Sequence, residues 1–442
     1  LLVYAVWTFL LGSVLPDALA QSAPVPAPLW QENQLAKQYT SFPALPLFAS
    51  QTQAVSRDPE LAEVLEEGLQ LTLDDKAVQS FFQLRPQHFT LSLPHPKNGD
   101  PLLLELSPST VFTDDFQVFP ASQPDRAAVA FTGLHYRGVL QDHPHSMVSL
   151  SIFPDEVMAT ISTPEATYTL GKRKNDDRSR HLLYDTHDLK PTPSSSCWTN
   201  EHHHLHPAPQ PDDAGARSAG EPPCVRIYVE ANYDMFQDKG SLDATAAFVV
   251  GLFNQSAVIF FNENIPVKLS ELLVWDTPSP YIDSTAGHFL MSFMDFQGGF
   301  NGDVAQLLSF ESQGGIAFVD VLCNSDFDVR KAYSGVAPYY EEVPVYSWSV
   351  NVFTHETGHM LGSPHTHECK WNGNNTPLDG CFDPGNGCEN DLGLPPDGGT
   401  IMSYCHLTSV GVNFSNGFGE QPGDLIRSRI AHMRCRAYVA EE

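Results

Sequence analysis

The chain has 442 residues, enough for two or three domains and a sizeable core. With 53 acidic against 24 basic residues its formal net charge is −29, which argues against nucleic acid or an anionic membrane as partner and for a soluble extracellular protein. None of the eight cysteines lies in the first 196 residues, and all but Cys197 fall from Cys224 onward, so disulfides are expected chiefly in the second half.

Leu1 to Leu15 is strongly apolar and lacks acidic residues, and Ala18-Leu19-Ala20 follows as an A-x-A-like cleavage site. Residues 1–20 read as a secretory signal peptide whose first residues are missing, too short to span a bilayer comfortably. No later run reads as a membrane span. Residues 21–190 form the next unit. Gln21 to Leu47 is a loose lead-in rich in Pro, Ala and Gln, and Pro59 to Leu69 leans helical. Phe89–Leu93, Leu102–Leu106, Ala127–Phe131, Met147–Phe153 and Val157–Ser162 alternate as strands do, giving a β-rich domain. Residues 191–223 shift to Pro, Ser, His and Asp and read as a linker. Arg217 in A-R-S-A is a candidate processing site, and Arg180 is another. The run His202-His203-His204 reads as a solvated tract, because nothing fixes its geometry.

Residues 224–442 form the last unit. Cys224 to Glu230 reads as a strand and Asn232 to Phe236 as a turn. A helix is expected over Ser241 to Asn262, with Phe248, Val249, Leu252 and Phe253 at helical spacing. Val267 to Asp276 reads as a second strand, Ser284–Asp295 and Ala305–Phe310 as helices, and Gly315 to Cys323 as a third strand. Ile426 to Tyr438 reads as a final helix. The order implies an α/β sandwich.

Ahead of that final helix, residues 355–365 spell H-E-x-x-H-x-x-G-x-x-H. His355 and His359 are four apart, so a helix projects both imidazoles from one face. Glu356 is placed to act on a water at a metal without ligating the metal. Gly362 sits where a left-handed residue stops the helix, letting the chain bring His365 back to the same point. Three neutral nitrogen ligands with one open position is the pattern of a catalytic zinc. Downstream, Gly399 to Cys405 reads G-T-I-M-S-Y-C, with Met402 in a tight apolar turn.

These motifs together resemble the metzincin clan of zinc endopeptidases, in which a methionine turn lies beneath the metal as support. The half from Cys224 to Cys435 most resembles the secreted bacterial-type branch of reprolysin-like (adamalysin-like) enzymes, through S-P-H-T-H-E-C and G-T-I-M-S-Y-C. Gly133–Ser151, with His135, Tyr136 and Gly138 in H-Y-x-G, is similar to the propeptides of such enzymes. The resemblance implies a metzincin catalytic domain, a twisted mixed sheet with zinc helix, Met-turn and C-terminal helix, behind a β-rich prodomain that acts as its inhibitor. It also implies that the last strand before the zinc helix forms the upper rim of the cleft, where an extended peptide adds as a strand. Thr366 departs from the Asp usual after the third histidine in animal reprolysins and leaves pappalysin-type enzymes as a competitor. Tyr404 takes the place of a tyrosine that reaches the zinc or the oxyanion in related groups, or packs in the turn.

The reaction the resemblance implies is peptide-bond hydrolysis by zinc-assisted attack of water with Glu356 as general base, on protein or peptide substrates, by a secreted monomer made as a zymogen. A secreted zinc-site binding protein without catalysis is the alternative from another class, and intact Glu356 argues against it. The resemblance pairs Cys323 with Cys435, and Cys369–Cys405 with Cys381–Cys388 would complete a set, although four cysteines in one region permit three pairings. Cys197 has two readings: a thiolate switch on the open zinc position, or a disulfide with Cys224. Asp383, Asn386, Glu389 and Asp391 are candidate Ca2+ ligands, although their spacing matches no calcium loop.

Overall fold

In the computed structural model the described residues are 27–433, apart from 124–127, 175–179, 191–223, 282–284, 297, 337–345, 384, 386 and 389–391. The expected signal peptide, the linker with Cys197, Arg217 and its histidines, and Cys435 lie outside them. The first unit runs α1 (Pro28–Tyr39), β1 (Phe48–Ala54), α2 (Pro59–Val64), β2 (Leu69–Leu73), α3 (Asp75–Leu84), β3 (Phe89–Pro94), β4 (Pro101–Pro108) and β5 (Phe112–Pro120). It continues with β6 (Leu134–Leu140), β7 (Met147–Ile152), β8 (Val157–Ser162), β9 (Thr167–Lys172) and β10 (Arg180–Asp185). The second unit runs β11 (Val225–Ala231), α4 (Tyr233–Lys239), α5 (Leu242–Asn262), β12 (Val267–Val274), α6 (Ala286–Phe296), β13 (Val304–Ser309), β14 (Gly314–Ala317), β15 (Lys331–Gly335), α7 (Tyr346–Met360) and α8 (Glu420–Ala431).

Nine strands of the first unit make one antiparallel sheet in the order β1-β2-β10-β9-β8-β7-β6-β4-β3. β7 and β8 are buried at every position, because both faces of the sheet are covered there. The period of two decides which core each side chain joins. Val148, Leu150, Ile152, Val157, Ala159 and Ile161 pack into the first unit's own core. Met147 and Met158 point the other way, into a core shared with α5.

The second sheet runs β14-β15-β13-β11-β12-β5. Its strands are parallel except β14, the antiparallel edge. β5 is the exception in origin. It leaves the first unit and pairs with β12, Leu272 opposite Val118 and Leu273 opposite Phe119. Arg226 on β11 grips Asp115 of β5 with two nitrogens, at 3.0 and 2.6 Å.

α5 lies between the two sheets. Its Ser241 cap accepts from the Ala244 amide at 3.1 Å, and residues 245–260 are all buried. A helix apolar all round is a fully buried helix. Against the expectation that no later run could span a membrane, α5 is long and apolar enough to do so by length and composition; here that surface is buried inside the protein. Each medium-sized apolar side chain so buried contributes about 1.5–3 kcal/mol relative to exposure.

Several expectations need correction. The Ala305–Phe310 stretch, read as a helix, is strand β13, buried at all six of its positions from Val304. Gly315–Cys323 is not one strand: only β14 at its start is, and the strand that precedes α7 is the interior β15. The antiparallel edge strand packed beside α7 is β14. Asn232 to Phe236 is not a turn but the start of α4. Ala127–Phe131 supplies a single bridge, Val129 to Val118. Arg180, a candidate processing site, opens β10 between β2 and β9. The final helix begins earlier, at Glu420.

His135 on β6 is enclosed by the rings of Phe112, Phe131 and Phe153, with Nδ1 3.0 Å from Ser151 Oγ. Burial pushes its pKa down to about 3. The unfolded chain then takes up a proton near pH 6.5 that the folded chain refuses, so His135 withdraws stability as pH falls from about 6.5 to about 3. His135→Phe is expected to flatten that pH dependence by about 1.4 kcal/mol per pH unit, read from urea unfolding at pH 7, 6 and 5. An unchanged slope would place the acid sensitivity elsewhere.

Candidate metal centre

α7 carries His355, Glu356 and His359, all buried. His355 Nδ1 donates to the Ile401 carbonyl at 2.7 Å, and His359 Nδ1 donates to the Ser363 carbonyl at 2.7 Å. Those bonds fix the tautomers and place the lone pair of each ring on Nε2, where a metal is bound. Burial, with His359 close by, holds the pKa of His355 well below the usual histidine value. It is therefore neutral at physiological pH.

The chain leaves α7 at Gly362, whose φ is +117°, a region that disfavours a side chain. The last α7 carbonyls are satisfied from outside the helix: His359 O accepts from the Asp320 amide at 2.9 Å, and Met360 O from the Val321 amide at 3.1 Å. The turn returns His365, whose backbone is held on both sides. Its amide donates to Glu368 Oε1 at 3.1 Å, and its carbonyl accepts from Trp371 Nε1 at 2.8 Å.

His355, His359 and His365 thus converge, each offering a ligand atom within 4.8 Å of the others. His359 Nε2 and His365 Nε2 stand 2.9 Å apart. With zinc–nitrogen bonds of about 2.0–2.1 Å, tetrahedral ligands lie about 3.3 Å apart, so this pair fits a zinc ion after a small outward adjustment, with His355 within reach of the same point. Tyr404 Oη is 2.9 Å from His365 Nε2, at the rim of the same cluster. His367 is buried and stacks on His365 with ring centroids 4.9 Å apart, outside the three converging histidines.

Met402 is fully buried directly under α7. A Cβ placed on Gly358, between the two helical histidines, would stand 2.6 Å from Met402 Sδ. Glycine is needed there for close approach. Thr366 binds the same turn: its amide and its hydroxyl both donate to the Met402 carbonyl, at 3.2 and 3.3 Å. That double bond gives Thr366 a structural reason independent of subfamily. Gly315 on β14 performs a matching role for Glu356, since a Cβ there would lie 2.6 Å from the Glu356 Cδ. Spacing pointed to neither Gly315, Ile401 nor Ser363. Nor did spacing point to His406; it is half-buried beside Trp348 and Tyr404, and desolvation lowers its pKa to about 4.

The cysteines pair differently from expectation. Cys369 bonds Cys388, and Cys381 bonds Cys405, in place of Cys369–Cys405 and Cys381–Cys388. The backbone sets this: Leu378 N donates to Thr366 O at 2.8 Å, folding the loop so that Cys381 meets the turn after Met402. Cys323 is disulfide-bonded to a partner outside the described residues. Of the candidate calcium ligands only Asp383 is described, and its Oδ1 accepts from the Gly385 amide at 2.8 Å; Asn386, Glu389 and Asp391 lie outside.

Residues 222–415 match the family Reprolysin_5, metallo-peptidase family M12. By that match, this part of the chain is similar to reprolysin-like metallo-peptidases. The match brackets all three histidines, Glu356 and Met402, and the M12 family implies zinc. No curated protein matches the chain in sequence. Among solved structures the chain is similar to metalloproteinase-II from Bacteroides fragilis, at 12% identity and a TM-score of 0.37, over 65% of this chain and 84% of that one. The M12 region thus marks the chain as a metalloprotease, and its disulfides suit an extracellular setting.

Gly315→Ala is expected to push the Glu356 carboxylate aside. Peptidase activity should fall about 10- to 100-fold, in line with a displaced general base, while zinc content by atomic absorption stays at the wild-type level. Loss of zinc together with activity would mean that the change acts on the histidines instead.

Proposed function

We propose that the chain is a secreted, zinc-dependent endopeptidase made as a zymogen. The reading rests on one observation: three imidazoles converge, with Glu356 adjacent and seated against the antiparallel edge strand β14. His355, His359 and His365 would hold the zinc, and Met402 would support them from below. Bound zinc supplies Lewis acidity, acidifying a water and polarising the scissile carbonyl.

The chain's own residues do the rest. β14 offers its outer backbone edge, and an extended peptide substrate pairs with it as an added strand. Glu356 takes a proton from the attacking water on a carboxylate oxygen and delivers it to the leaving amine nitrogen. The Tyr404 hydroxyl, beside His365, donates a hydrogen bond to the oxygen that becomes negative as the carbonyl is attacked. Residues 21–190 form the propeptide, 191–223 the linker and 224–442 the catalytic domain. Cys197 serves either as the latency thiolate or as a disulfide partner of Cys224. Intact Glu356 weighs against an inactive binding protein.

Glu356→Gln should retain about one zinc per chain and lose about 10²–10⁴-fold in peptide cleavage, the usual contribution of a general base. Near-wild-type turnover in that variant would sink the assignment. Chelation should abolish cleavage of a peptide library by wild type, and added zinc should restore it; cleavage that survives exhaustive chelation contradicts a metal-dependent reaction.

A further inference from the structure

We infer that the first unit, residues 28–190, stays bound non-covalently to the second unit after the linker between them is cut. This goes beyond the reading of the metal centre and does not depend on it.

Two independent grips carry the inference. The first is strand addition. β5 pairs with β12 along the edge of the second sheet, and Arg226 holds Asp115 there with two nitrogens. Ser122, just past β5, donates its amide to Asp276 at 2.8 Å. Removing the first unit would strip a sheet of its outermost strand and expose a row of backbone groups.

The second grip is on α5. One stripe of this helix faces α7 and the turns beyond it: Phe253 meets Phe353, Ser256 bonds Thr354, and Phe260 meets Phe418. The opposite stripe faces the first unit. Asn254 Nδ2 donates to the Tyr136 and Leu150 carbonyls and to Ser151 Oγ, at 3.1–3.3 Å. Thr160 donates to Gln255, and Gly251 lies so close to Met158 that a Cβ would collide with it. At the C-terminal end Phe261 lies under the Arg137 guanidinium, 3.6 Å from its carbon to the ring centroid. Both stripes are buried, and the polar groups Asn254 Nδ2 and Gln255 Oε1 find partners on the first unit, so a released second unit would present the outer stripe to water. A surface of that kind belongs to a stable interface.

Neither grip lies on β14. In the strand order β5 is at one end of the sheet and β14 at the other. Retention of the first unit and access of a substrate to β14 are therefore compatible.

The test uses the full chain. A site-specific protease sequence is inserted between Lys190 and Cys197, so that the first fragment carries no cysteine and no disulfide can hold it. The folded chain is cut and run on gel filtration and native mass spectrometry. Both fragments should stay in one peak at the elution volume of the uncut protein, separating only in denaturant that also unfolds the chain. A first fragment eluting alone in native buffer overturns the inference. In a second arm, Asp115→Arg sets two like charges against each other at a half-exposed site. After cutting, it should weaken the fragment dissociation constant about tenfold, and an unchanged constant would contradict the β5 grip.

Discussion

α5 has no face that tolerates water, and much of the architecture follows from that constraint. Helices on globular surfaces keep one polar side. α5 instead carries Phe253 and Phe260 on one side and Gly251, Asn254 and Gln255 on the other, all buried. Two sheets are needed to cover it. The second unit supplies one wall, through β12 and α7. The first unit supplies the other, and β7 and β8 become strands buried on both faces as a result. The buried amide of Asn254 adds specificity to this apolar contact, since its three acceptors occur in only one docking register.

The metal centre hangs from that frame by a few backbone bonds. Ile401 and Ser363 accept from the Nδ1 atoms of His355 and His359, so the turn carrying Met402 and the loop after α7 orient the rings that face the metal. Thr366 ties the loop to the same turn, and Gly358 brings helix and turn into contact. The histidines are thus preorganised by groups whose positions are fixed by packing, which is how a metal site acquires a fixed tautomer and direction.

What the sequence made legible was local. The histidine motif reads directly because its meaning lies in a four-residue helical repeat and one turn. The helix over 242–262 reads because Phe248, Val249, Leu252 and Phe253 fall at helical spacing in an apolar run too long for a strand. β13 was misread because Val-Ala-Gln-Leu-Leu-Ser is buried on both faces, and a short apolar run of that kind has no period to separate strand from helix. β15 and the edge position of β14 were missed because strand order depends on contacts far apart in sequence. So was the departure of β5 from its own unit to the other sheet. The cysteine pairing was open from the start, because clustered cysteines allow several pairings and only the fold of the loop chooses one. Gly315 left no signal at all, since its partner, Glu356, is distant in the chain.

The two disulfides interleave. Cys369–Cys388 and Cys381–Cys405 form loops that overlap in sequence, so the segment from 381 to 388 lies inside both. A backbone break within that overlap would leave each end anchored by a different bond, and the third histidine would keep its tether to the turn at 401–405. A protein that hydrolyses peptide bonds is surrounded by copies of itself. Under the proposed activity, overlapping crosslinks would let this loop hold together across a neighbour's cut, a durability that comes from the order of four cysteines and requires no additional core.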